Sequence, residues 1–119
     1  MNNWEKRWYP ITNISSDQVK TFTKKDVHFQ KNIDICFLIA ELDFITSDNV
    51  TDTIIINLPE ISYKFAPCEN TVFALRNDES NTIVKLRLEP KRLIMECYPF
   101  TKNAKYEFNI QFFLRVTTT

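Results

Sequence analysis

The sequence predicts an all-β protein: an antiparallel β-sandwich of jelly-roll type with seven to eight strands. Three observations carry that prediction. Apolar and polar residues alternate with period two along most of the chain, as half-buried strands require. Asn, Asp, Ser and Pro fall between the alternating runs, at the spacing of turns. Helical periodicity is nearly absent, and the segment from Asp17 to Lys20 holds at most a turn. Short antiparallel strands joined in this way build sandwiches and jelly rolls. No linker, repeat or low-complexity stretch divides the chain, so residues 1–119 are expected to form one domain. That length buries a core without disulfide staples.

Taken in order, Trp8 is expected to begin the first strand and help close the sandwich. Val19–Phe22 and Asp26–Gln30 read as two short strands, followed by a long one at Ile33–Phe44. Thr53–Leu58 and Thr71–Leu75 come next. Val84, Leu86 and Leu88 alternate with Lys85, Arg87 and Glu89. Pro90-Lys91-Arg92 then turns the chain, and Leu93, Met95 and Cys97 return it, which is a hairpin. In the closing strand Tyr106, Phe108, Ile110, Phe112, Leu114 and Val116 share one face, and only Phe113 breaks the polar face opposite. Thr117, Thr118 and Thr119 either fray or end that strand.

The strand at Ile33–Phe44 differs from the rest. Ile33, Ile35, Phe37 and Ile39 lie on one face, while Cys36, Leu38, Ala40, Leu42 and Phe44 lie on the other. A two-layer sandwich buries one face of each sheet, so a strand apolar on both needs a second cover. Its own loops or another subunit would supply it, and with no extra helix available subunit contact is favoured. Cys36, Leu38, Leu42 and Phe44, with the outward Phe113, are the expected oligomer contacts.

Composition excludes several function classes. The chain has no glycine, where about eight would be usual for this length. Dinucleotide fingerprints, phosphate-cradling loops, nucleophile elbows and kinase loops all need glycine for close backbone approach. Fifteen basic and fifteen acidic side chains cancel, so nothing attracts nucleic acid or an anionic membrane. Lys6-Arg7, Lys24-Lys25 and Lys91-Arg92 read as solvated turn residues. No run reaches the ~20 apolar residues of a membrane helix. Met1 to Glu5 lack the basic and apolar parts of a signal peptide. The triplets Asn13-Ile14-Ser15 and Asn49-Val50-Thr51 carry weight only in a secreted chain.

Candidate chemistry is sparse. Cys36, Cys68 and Cys97 form no close pair, and an odd count leaves a free thiol, which suggests folding in a reducing compartment. With His28 they would make up a zinc-ligand count, but without the spacing of a zinc site. His28 alone, between Val27 and Phe29, reads as a structural strand histidine. Glu41 and Asp43 share a strand face, and retaining glycosidases need two carboxylates roughly 5 Å apart. A strand leaving the core explains them more simply. Asp48, Asn49 and Asp52, and separately Asn77, Asp78 and Glu79, read as polar turns rather than calcium loops. No catalytic residue, metal ligand or cofactor is assigned. Aromatics outside the core pattern are better binding candidates, since they anchor protein contacts or stack on sugars. Trp4, Trp8 and Tyr9 crowd the N-terminus, and the candidate ligand-binding residues are Tyr63, Phe65, Tyr98 and Phe100.

Several segments, taken in order, resemble one known family. They are NW near the start, VHFQKNIDICFLIAELDF, IINLPEISYKFAP, IVKLRLEPKRLIMECYPF and YEFNIQFFLRV. They are similar to the C-terminal head domains of phage tail fibres and baseplate receptor-binding proteins. Trp4 or Trp8, Lys31-Asn32, Leu58-Pro59 and the closing strands stand at matching places. The family usually has glycine where this chain has Asn32, Ala40 and Pro90-Lys91-Arg92. The resemblance implies a homotrimeric jelly roll, shaped like tumour-necrosis-factor heads, that binds a host-surface saccharide or protein without catalysis. It implies a virion location, after synthesis in the host cytoplasm, with no nucleic-acid partner and no membrane insertion. A structural tail or baseplate subunit, or a small glycan-acting enzyme on a jelly roll, are the other readings.

Overall fold

The computed structural model describes residues 8–31, 35–59, 67–76 and 81–115. Within them the chain is all-β and antiparallel, as the alternation predicts. The strands are β1 (Trp8–Pro10), β2 (Val19–Lys31), β3 (Ile35–Thr46), β4 (Thr53–Asn57), β5 (Cys68–Arg76), β6 (Asn81–Glu89), β7 (Arg92–Glu96) and β8 (Lys105–Arg115). Their hydrogen-bonded order is β1-β2-β3-β8-β5-β6-β7-β4. Between β8 and β5 the pairing is thin: among the described residues only Leu75↔Glu107 and Arg76↔Tyr106 are in register.

That seam divides the sheet into two four-stranded leaves, β1-β2-β3-β8 and β5-β6-β7-β4. They meet again on the other side. Ser15, in the connection from β1 to β2, bridges Asn57 of β4. The Asn57 N–H donates to Ser15 O at 2.8 Å, and the Ile55 N–H donates to Gln18 Oε1 at 3.0 Å. The sheet is therefore nearly closed, and it packs against itself as a sandwich does.

The core lies between the leaves. From one come Leu38, Phe44, Tyr106 and Ile110; from the other come Ile56, Leu86 and Met95, all fully enclosed. With no helix among the described residues, each leaf covers the other. Removing each such side chain from water stabilises by about 1.5–3 kcal/mol. Phe44 stacks on Phe108 at 5.4 Å and receives the edge of Phe22 at 5.8 Å.

Two irregularities explain where simple alternation fails. Val19–Phe22 and Asp26–Gln30 belong to one strand, β2. Its register with β3 slips between Val19 and Thr21 and again between Phe22 and Lys24. At each slip β2 advances two residues while β3 advances one, which defines a bulge. The inward residues therefore change parity from Val19 to Phe22 to Val27. Beyond the Pro10↔His28 pair no strand flanks β2 on its outer side among the described residues. There Lys25, opposite the inward Leu42, remains exposed, and its ammonium lies 5.8 Å from the Phe22 ring. An inward-pointing charge on an edge discourages further strand addition.

Without glycine, Lys91 at φ 70° and Asn103 at φ 52° adopt left-handed backbone among the described residues. Lys91 follows Pro90 in the two-residue connection between Glu89 and Arg92, which are paired. Proline first and a positive φ second is the geometry of a type II turn. The Lys91 carbonyl also accepts the Leu58 N–H at 2.8 Å, tying the β6–β7 turn to the end of β4.

Two groups of sequence expectations need correction. Leu38, Leu42 and Phe44 are not surface contacts. They occupy the inner face of β3, at 0–1% exposure within a single chain, because β3 is an interior strand whose inner face meets the opposite leaf. Phe100 is likewise no ligand platform: it is buried, with its ring edge-on to Tyr106 at 5.5 Å and its N–H donating to Thr51 O at 2.9 Å. Phe113 does face outward, and its ring meets Phe37 at 4.9 Å, so the outer side of β3 is partly covered by its own neighbour. The Cys36 side chain and the expected residues Tyr63 and Phe65 lie outside the described residues.

Candidate functional site

A groove of about 380 Å³ opens on the outer face where β5 departs from β8. Lys24 of β2, Glu41 and Asp43 of β3, and Glu107 and Asn109 of β8 form its polar side. Phe73 and Leu75 of β5 form its apolar side, and Phe108 reaches it from the core. The seam explains the groove. Once the backbones separate, outward side chains of the two leaves no longer lie in one continuous row, and a furrow forms between them.

Register places the charges. Asp43 stands directly opposite Glu107, and Glu41 opposite Asn109. Like charges directly opposite on neighbouring strands are destabilising. Lys24 pairs with Glu41, and this contact, with the charges of Asp43 and Asp26 nearby, raises the Lys24 ammonium above its usual value. Lys105 lies 3.7 Å from Glu107. Lys24 also stands directly opposite Asp43 across β2 and β3 and senses its charge. The lining thus holds three carboxylates against one lysine.

The outer face of the β5-β6-β7-β4 leaf is differently built. Across β5, β6 and β7, Glu69 receives Arg87 at 3.2 Å and Lys85 at 3.8 Å, while Glu89 receives Arg87 at 2.9 Å and Arg92 at 2.6 Å. There each acid meets a base, and the Arg87 hydrogen bond, followed by that of Arg92, lowers the Glu89 carboxyl below its ordinary value. The groove is the place where acids outnumber bases.

Apolar side chains border it. Phe73 is 70% exposed and stands opposite Ile83 of β6, itself 62% exposed. Phe113 is 64% exposed further along β8. The run Val72-Phe73-Ala74-Leu75 carried the signal for this patch. Its inward pair, Val72 and Ala74, already satisfies the core, so Phe73 and Leu75 must face outward. Sequence reasoning instead pointed to Tyr98, which is 78% exposed and 3.4 Å from Glu96 Oε2, and to its near neighbour Phe100, which is buried.

Other candidate chemistry disperses. The Nδ1 of His28 lies 3.1 Å from Asp26 Oδ1 on the outer side of β2. The Asn103 side chain donates to Asp48 Oδ1 at 2.5 Å, and Ser47 Oγ donates to Asn49 Oδ1, so these polar residues knit two loops together. Among the described residues no group of three His, Cys, Asp or Glu has the arrangement to hold a metal ion. Asn77, Asp78 and Glu79 lie outside those residues. Burial pushes the Cys68 thiol up, and Cys97 Sγ donates to Pro99 O at 3.4 Å.

Fold and surface define an antiparallel β-sandwich with an acidic and aromatic groove on its outer face. No family model, curated protein or solved structure matches the chain.

Proposed function

We propose that this chain is a non-catalytic binding head. A β-sandwich acting as a homotrimer would attach a phage or phage-like tail fibre or baseplate to a saccharide or protein on a host surface. The observation that carries the reading is the outer face, where Phe73 and Ile83 pair across strands with both side chains largely exposed. Phe113 adds a third largely exposed apolar group, on β8. Aromatic side chains on a rigid sheet make contact area at small entropic cost, which suits recognition. The ordered resemblance of the strand and turn segments to phage head domains supports the same reading. A trimer would multiply weak contacts through avidity.

Light scattering on the purified chain at micromolar concentration tests the assembly, and a glycan array probed with the assembled protein tests the ligand. A monomer in dilute solution removes the trimer. A structural tail or baseplate subunit is the second reading, favoured by the same exposed apolar groups. It predicts a chain that assembles only with a partner protein.

A further inference from the structure

We propose that residues 8–16 form an exchangeable strap, which closes the sheet of its own chain in dilute solution and that of a second copy in concentrated solution. The inference goes beyond the binding-head reading, because it concerns how copies join and not what they bind. The strap runs between the two ends of the strand order. At one end Trp8–Pro10 pair with β2, and the Ile11 N–H donates to Val27 O at 2.9 Å. At the other end Ser15 bridges Asn57. There the Asn57 N–H donates to Ser15 O at 2.8 Å, and its Nδ2 lies 3.3 Å from Ser15 Oγ. Between the two ends Ile11 and Ile14 are buried in the core.

The two sheet edges are protected unequally. β2 carries Lys24, Lys25 and two bulges along its outer stretch, and such devices deter strand addition. β4 reads Thr-Ile-Ile-Ile-Asn, bears no charge and pairs with β7 without a register shift. Its Ile55 and Asn57 N–H groups turn away from β7, toward Gln18 Oε1 and Ser15 O. With the strap lifted, that edge is a template for another strand. The strap joins β2 through a turn held by long bonds, Val19 N–H to Ser16 O at 3.4 Å and Gln18 N–H to Ser16 Oγ at 3.3 Å. Gln18 stays with the body, because its carbonyl accepts the Ser47 N–H at 3.0 Å. An occupant of the vacated edge must supply an acceptor for the Asn57 N–H and apolar side chains spaced like Ile11 and Ile14. The strap of a second copy supplies all of these. Exchange restores each contact, so concentration sets the balance.

The S15C/N57C double variant tests which chain supplies the strap, since the two side chains already meet at the bridge. The full chain is held at micromolar or at millimolar concentration, oxidised, and separated on a non-reducing gel. The parent, with its three native cysteines, is oxidised alongside as the background. A disulfide within one chain is expected at the low concentration. At the high one, species of two or more chains linked between positions 15 and 57 should rise at least about tenfold. Hydrogen exchange on the parent chain is the second measurement. The Ile11 and Asn57 amides should exchange at least about tenfold faster than the Leu58 amide, which bonds Lys91 O. A one-chain disulfide at every concentration would overturn the proposal. So would equal cross-linking by N57C alone, the mark of β4 pairing with β4, or equal protection of Asn57 and Leu58. The amide comparison needs no disulfide, so it decides even where the introduced thiols do not pair. Light scattering counts copies whichever chain supplies the strap, so loss of exchange and loss of the trimer are separate results.

Discussion

Thr46 and Ala104 hold each other from 58 residues apart. The Thr46 N–H donates to Ala104 O at 3.0 Å, and the Ala104 N–H donates back to Thr46 Oγ1 at 3.0 Å. The same hydroxyl donates to Thr101 O at 2.6 Å. Among the described residues Thr46 is the enclosed polar one, and its side chain fastens the end of β3 to the loop that starts β8. Tyr106 completes the corner, its hydroxyl accepting the Thr101 N–H at 2.8 Å.

Thr46→Val keeps the shape and removes the hydroxyl. It leaves the buried Ala104 N–H without its acceptor, which should cost about 1–3 kcal/mol in urea unfolding. Thr46→Ser retains the hydroxyl and should lose less. A valine variant as stable as the parent would show that this corner does not hold the leaf.

The burial of Leu42 and the exposure of Phe113 separate folding from association. Leu42→Ala should lower stability by about 2–5 kcal/mol through the cavity it leaves. That loss should not vary with protein concentration. Phe113→Ser gives up chiefly its ring contact with Phe37, about 0.5–1.5 kcal/mol. If Leu42→Ala instead shifted a subunit equilibrium while leaving monomer stability unchanged, its placement in the core would be refuted.

These two residues also show what the sequence discloses. Period-two alternation located most strands because burial enforces it, although it divided β2 into two, and it placed Phe113 outward correctly. It could not choose which apolar face of β3 meets the opposite leaf, since both faces read alike, so Leu42 and Phe44 were assigned to the wrong side. The β2 bulges hid because an inserted residue shifts parity without changing composition. The groove was less legible still. Glu41 and Asp43 stand near each other in the chain, but Glu107 joins them only through the β3–β8 register, and Phe73 only through the seam.

Lys91 holds a left-handed backbone at φ 70° where glycine would sit without a Cβ clash. Non-glycine residues pay about 1–2 kcal/mol there. Lys91→Gly should therefore raise the thermal midpoint, the gain being reduced to roughly 1 kcal/mol or less by glycine's freedom in the unfolded chain. The Leu58 N–H bond survives because it uses the Lys91 backbone carbonyl. A lower midpoint would mean that the lysine side chain contributes more than its backbone costs.

Glu89 gives the fold a defined response to acid. Its carboxyl is lowered from 4.5 first by the hydrogen bond from Arg87 and then by that from Arg92. Because the folded value lies below the unfolded one, its contribution to stability is fully present above about pH 4.5. It fades as the pH falls from there through the folded value. Carboxyl-carbon NMR should show Glu89 titrating below the ordinary range, and Arg87→Gln should move it back toward 4.5. High salt should narrow the gap, because the pair is open to solvent and screened. An ordinary titration in the parent protein would mean that Arg87 does not hold this carboxylate in solution.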